Sequence, residues 1–302
     1  MTESSPLTIA VTGGAGFIGS AVRREAERRG HRVVAIDASH GAVPGGGIHA
    51  VDIRDRESLA TLLMAERPDV VVHAAAIAGV DSVDRDLPTA TAVNVLGAVT
   101  VFECARAAGA RRVVDVSSEE IYGASNSGVP IREDAPLAPT TNYGVHKLAV
   151  ELLGRGFEQR GLDYVAARLS WVYGHGFPRS RPPQDWIEDA GAGVVSPPAA
   201  GADHLVDLLH VEDAARALLA LAEAPALARS SYNVGSGIAV SLGDIAVAVQ
   251  ELAPHWNVSL SAGPLPGIAS RGALATTNIN EELSWWPDLS LEEGLRRTLH
   301  GR

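Results

Sequence analysis

Short apolar runs alternate along the chain with longer stretches whose apolar residues recur at helical spacing. Leu7 to Thr12, Arg32 to Ile36, Val70 to Ala74, Arg112 to Val116 and Tyr164 to Leu169 are short and β-branched, as strands covered on both faces should be. His49 to Ile53 predicts one more short strand. Between them, Phe17 to Arg29, Arg56 to Glu66, Pro88 to Ala108 and Thr141 to Arg160 predict helices, and Pro68, Gly109 and Gly161 stand where helices should stop. This alternation predicts an α/β fold with a parallel sheet between two layers of helices. After Leu169 the regularity breaks into residues 171–203, rich in Gly, Pro and Arg. Val206 to Ala224 and Tyr232 to Val234 return to the earlier pattern, and Leu242 to Arg302 predicts two further helices with loops. The expected architecture is a doubly wound parallel sheet with a smaller, discontinuous C-terminal lobe.

Composition narrows the function classes. At 302 residues the chain suggests one large domain or two interlocked ones. A net charge of −11 argues against nucleic-acid binding, which needs a basic footprint. The single cysteine, Cys104, excludes an intramolecular disulfide and a cysteine metal cluster, and should pack as a small apolar group. No metal site is expected. Met1 to Pro6 shows no signal-peptide pattern, and no apolar run reaches the ~18 residues of a membrane span. The expectation is a cytoplasmic protein with no membrane partner.

The stretch IAVTGGAGFIGS sets Gly13, Gly16 and Gly19 between the first strand and the first helix. Gly13 permits the tight turn, Gly16 lets backbone approach a pyrophosphate, and Gly19 lets the helix pack on the strand. The phosphates would sit on the helix N-terminus, beside Phe17 and Ile18. Asp37, at the tip of the second strand, is placed to grip a ribose 2′-hydroxyl and would repel a 2′-phosphate, so NAD is expected over NADP. Asp52 and Ile53 are expected beside the adenine. His73, Ala74 and Ala75 begin a small-residue wall along the cofactor, although a histidine there is more often a core group. Residues 1–170 and 205–235 are thus expected to form a Rossmann NAD-binding domain, and 171–204 with 236–302 a substrate lobe.

In NYGVHK, Tyr143 and Lys147 share one face of a helix. Tyrosine, with a pKa near ~10, is a poor base at neutral pH, but a lysine ammonium and a cationic nicotinamide ring both favour its phenolate. Ser118, at the end of a strand, is placed to bond the same substrate hydroxyl. Beside it, SSEEIYG sets Glu119 and Glu120 together, a costly arrangement unless the carboxylates are paired or used.

Taken together, TGGAGFIGS, the Asp37 strand end, HAAA, SSEEIYG and YGVHK resemble the extended short-chain dehydrogenase/reductase family, in its branch of NAD-dependent epimerases and dehydratases of nucleotide sugars. The resemblance runs from Leu7 to about Arg168 and resumes at LLHVEDAARALLAL, YNVGSG and LSWWPDLSLEEGLR. It implies that Tyr143 is the general base, that Lys147 orients the cofactor ribose, and that Ser118 positions the reacting hydroxyl. A hydride would pass from a sugar carbon to NAD, leaving a transient keto-sugar. In the dehydratases the glutamate segment reads Ser-Thr-Asp-Glu-Val-Tyr-Gly, with acid and base in tandem, which would make Glu119 a proton donor and Glu120 a base. The plain alternative is one glutamate paired with an arginine and the other facing solvent.

The chain also departs from that family. Trp171 stands where an Asn is usual, Val206 where an Arg is usual, and His146 precedes the helix lysine in place of a Ser. Arg179, Arg181 and Arg271 either form a relocated anion site or are ordinary surface arginines. Two enzyme classes follow: one working on nucleotide-activated sugars with NAD regenerated each cycle, the other a net dehydrogenase of an unactivated sugar, sugar acid or other secondary alcohol. A cofactor-sensing protein is disfavoured by the intact Ser118, Tyr143 and Lys147. The resemblance further implies a homodimer through the helices Pro88 to Ala108 and Thr141 to Arg160, with Ala92, Ala98, Val99 and Leu148 on the outer faces.

Overall fold

A computed structural model describes residues 6–39, 47–125, 128–197 and 199–301. Seven strands form one parallel sheet: β1 (Thr8–Thr12), β2 (Arg32–Asp37), β3 (Ile48–Ala50), β4 (Val70–His73), β5 (Arg112–Ser118), β6 (Asp163–Leu169) and β10 (Ser231–Val234), in the order β10-β6-β5-β4-β1-β2-β3. The inner strands are short and largely apolar because both faces are covered. Helices Phe17–Arg28 and Val211–Glu223 press Val22, Ala26, Leu218 and Leu221 onto one face. Helices Arg56–Glu66, Leu87–Ala107 and Asn142–Glu158 press Leu59, Leu63, Phe102, Val150 and Phe157 onto the other. The strand order turns back at β1, with β2 on one side and β4 on the other, which opens a crevice at the carboxyl ends of these strands.

A second sheet of three strands, β7 (Trp171–Tyr173), β9 (Leu205–His210) and β11 (Ala239–Ser241), carries the smaller lobe, and a short ladder joins β8 (Ala199–Ala200) to β12 (Leu260–Ser261). Residues 205–235, expected to belong with the Rossmann domain, divide between the two sheets. Strand β10 occupies the free edge of β6, with Ser231 opposite Ala166, so β9 pairs instead with β7. The helix that follows β9 still covers the large sheet. Short helices Val80–Arg85 and Gln184–Ala192 were not legible in the sequence.

The helix Leu87–Ala107 contains a wide π-type turn at Ala92–Gly97. By length and composition alone this helix is apolar enough to cross a bilayer, in contrast to the sequence reading, but its residues Val101, Phe102, Cys104 and Ala105 lie in the protein core. Ala98 is likewise fully buried, which corrects its expected place on an outer face. Among the apolar side chains that do face outward are Leu96, and Val145 with Leu152, which lie two turns apart on one stripe of helix Asn142–Glu158.

Candidate active site

The turn after β1 is shaped for close backbone approach. Gly13 adopts a φ of +69°, and a Cβ there would lie 2.7 Å from the Ala75 nitrogen; at Gly19 it would overlap the Gly13 carbonyl oxygen. No side chain caps the helix that begins at Phe17, so its first N–H groups and its positive dipole end are open toward the turn. Asp37 is fixed at the lip: Oδ2 accepts from the Ala15 N–H at 3.1 Å, and Oδ1 accepts from the Ser39 N–H and hydroxyl at 2.9 and 2.7 Å. An uncapped helix end beside an anchored carboxylate fits a dinucleotide with a free ribose 2′-hydroxyl. Gly13→Val is expected to leave purified protein with about a tenth or less of the wild-type NAD, because the residue can neither hold that φ nor clear Ala75; release of NAD on denaturation measures it, and near-normal content would refute the assignment.

Other expected cofactor residues divide. Asp52 is engaged by its neighbour Arg54 at 2.6 Å, and Ile53 is buried against Gly97. The His73 ring shares a hydrogen bond of 2.7 Å with Thr12 Oγ1 and meets Phe102 edge-on. Burial pushes its pKa down to about 3, so it is a neutral core group. Ala74 and Ala75 remain partly exposed on the crevice wall.

Strand β5 delivers Ser118 to the crevice, and a tight turn over Glu119–Tyr122 follows, in which Ser118 Oγ accepts from the Glu120 N–H. Thr141 caps the helix that carries Tyr143 and Lys147 by accepting from the Gly144 N–H at 3.0 Å. Lys147 Nζ lies 5.7 Å from the Tyr143 ring centroid and donates to the Val116 carbonyl at 2.6 Å, which ties the helix to the strand bearing Ser118. Gly144, which the sequence reading passed over, sets their spacing: a Cβ there would stand 2.8 Å from the Glu120 carbonyl oxygen. Asn94 is a second omission. Buried in the π-type turn, it accepts from the Ile77 N–H and donates to the Ile77 carbonyl, holding the loop after β4. His146 closes this set, bonded to Thr91 Oγ1 at 3.0 Å and to the Asn94 amide.

The two glutamates have different surroundings. Glu120 receives Arg271 Nη1 and Nη2 at 3.1 and 3.0 Å and the Thr141 hydroxyl at 3.2 Å. Arg271 is itself buried, and its Nε donates to the Gly123 carbonyl, so it serves Glu120 and the turn. Glu119 does not face solvent. It is 2% exposed, stands 3.9 Å from Arg271, and has Oε2 without a hydrogen-bond partner. Burial, opposed by Arg271 and aided by Asp207 and Glu120, pushes its pKa from 4.5 up to about 8.

That shift has a sign. The folded protein keeps the Glu119 proton while the unfolded chain releases it above 4.5, so this group's stabilising contribution is lost as pH rises toward 8. Glu119→Gln is expected to melt above wild type by a margin that widens with pH across this window and then levels. Thermal melts through the window check it; a margin independent of pH would mean Glu119 is already ionised.

Among the remaining expected substrate residues, Trp171 is buried and Arg181 stacks on its ring, while Arg179 packs on the glycine of the Gly79 turn. Val206 is buried in the small sheet.

The sequence profile of the NAD dependent epimerase/dehydratase family matches residues 9–235. The chain belongs to this family. It is an NAD-dependent enzyme of the extended short-chain dehydrogenase/reductase type. Similar proteins include the UDP-glucose 4-epimerase of Mycolicibacterium smegmatis, 30% identical over 96% of both chains. The dTDP-glucose 4,6-dehydratase of Neisseria gonorrhoeae is also 30% identical, over 99% of this chain and 96% of its own. Among solved structures, the Thermus thermophilus UDP-glucose 4-epimerase in complex with NAD superposes with a TM-score of 0.86 at 29% identity, covering 97% of this chain and 98% of its own.

Proposed function

We propose that this family member acts on a nucleotide-activated sugar by an epimerase-type cycle, in which one ring carbinol is oxidised and the ketone is reduced again in the same site. The Gly13 turn, the open helix end and Asp37 would hold NAD, which would supply a two-electron acceptor that is regenerated. Tyr143 takes the carbinol proton through its phenol oxygen. The Lys147 ammonium favours the charge that forms there, and Ser118 orients the hydroxyl by a hydrogen bond.

One observation favours this cycle over water elimination: Glu120, the expected base, is clamped by Arg271 and Thr141. Both of its oxygens are already taken by these donors, so neither is free to face a substrate C–H. Elimination is a second reading, favoured by Glu119, which stays protonated and is suited to donate to a leaving hydroxyl. Incubation with UDP-glucose, UDP-galactose and dTDP-glucose, followed by NMR and mass spectrometry, separates the two. Interconverted epimers support the cycle, products lighter by one water support elimination, and accumulating NADH with unactivated sugars would replace both by a net dehydrogenase.

A cytoplasmic homodimer completes the reading. The stripe of Val145 and Leu152 with Leu96 is the apolar face on which a second copy would pack. Light scattering of Leu152→Glu against wild type tests it; two monomers, or two dimers, would dismiss this face.

A further inference from the structure

Arg179 and Arg181 lie in the loop between β7 and helix Gln184–Ala192. Arg181 lays its guanidinium over Trp171, 4.2 Å from the ring centroid, and over Phe177 at 4.9 Å. Arg179 covers the same Phe177 at 5.0 Å, and its Nη1 fills the space that a Cβ at Gly79 would need. Phe177 in turn meets Phe17, the first residue of the helix at the cofactor turn, edge-on at 5.3 Å. The two arginines are therefore held between the dinucleotide turn and the loop after β4.

Among the described residues, neither guanidinium forms an ion pair, whereas Arg271 is committed to Glu120. Two like charges in a partly buried loop with no carboxylate partner are costly unless an anion arrives. Burial first, then the charge of Arg179, pushes Arg181 down to about 10, while Glu119, Glu120 and Tyr143 act on it from the reaction side. Stacking fixes the plane of the guanidinium and leaves its N–H edges free to fork onto paired oxygens.

We propose that Arg181, backed by Arg179, binds an oxyanion of the substrate, in a chain where Val206 stands in the place of the usual Arg. The shared ligand chemistry is a pair of anionic oxygens, borne either by the diphosphate of the nucleotide or by a carboxylate on the sugar. The choice of ligands rests on the nucleotide-sugar reading.

The test is calorimetric titration of NAD-loaded protein with UDP, dTDP, UDP-glucose and UDP-glucuronate, using wild type, Arg181→Met, Arg181→Lys and Arg179→Met. Arg181→Met is expected to weaken binding about thirtyfold, as removal of hydrogen bonds to a charged group would, with Arg181→Lys recovering only part because the fork is lost. Weakening of every ligand that binds assigns the diphosphate. Weakening confined to UDP-glucuronate assigns a carboxylate. Unchanged affinities across the variants overturn the proposal and leave the nucleotide reading standing, while failure of wild type to bind any of the four overturns both. Loss of NAD from Arg181→Met at an unchanged melting temperature would show that the arginine serves the cofactor, which also overturns it.

Discussion

Tyr143→Phe is expected to lower turnover by about a thousandfold, within the usual range for removing a general acid–base group, while bound NAD and melting temperature stay close to wild type. The phenol is partly exposed in the crevice, so losing its oxygen leaves no buried group unsatisfied. The ring remains, and with it the position of Lys147, whose anchor is the Val116 carbonyl and not the phenol. Steady-state rates measured alongside NAD content check this. Activity within threefold of wild type would move the proton transfer to another group, and Glu119 would be the next to replace.

Arg168→Met is expected to have the largest effect on stability. Arg168 and Glu151 are 1% and 0% exposed and joined through the Nε–Nη2 edge of the guanidinium, at 2.8, 3.1 and 3.2 Å. The network continues through the hydroxyl of Ser117 on Glu151, and through Tyr122 and the Glu133 carbonyl on Arg168. Removing the arginine strands a buried carboxylate, at a cost of about 3–5 kcal/mol, or about 5–8 °C in melting temperature for a chain of this size. Replacing Glu151 by Leu as well should restore most of the loss, since an apolar pair of similar volume leaves no charge behind. Activity should fall in the single variant, because Ser117 and Tyr122 flank the Ser118–Glu120 turn. A single variant that melts within 2 °C of wild type would show that solvent reaches the pair.

Local rules made much of this protein readable. Gly13, Gly16 and Gly19 were readable as a tight strand-to-helix turn because their spacing is a property of consecutive residues, and a Cβ at Gly19 would meet the nearby Gly13 carbonyl oxygen. Tyr143 and Lys147 were legible because residues a helical turn apart must share a face. The contributions of Gly144 and Asn94 were not, since their neighbours, the Glu120 carbonyl and the Ile77 backbone, come from other elements. Strand β9 was misplaced for a related reason: which edge a strand joins depends on which edge β10 has already taken.

The glutamates mark the boundary most clearly. By itself the sequence determined that two carboxyls follow Ser118 and that an arginine lies somewhere beyond. Only the tertiary structure decided that Arg271 reaches Glu120 and leaves Glu119 buried with a proton, because pairing across 151 residues is a matter of chain topology and burial. Residue type fixes what chemistry a side chain is able to do, and the fold fixes the charge it carries and the groups it meets.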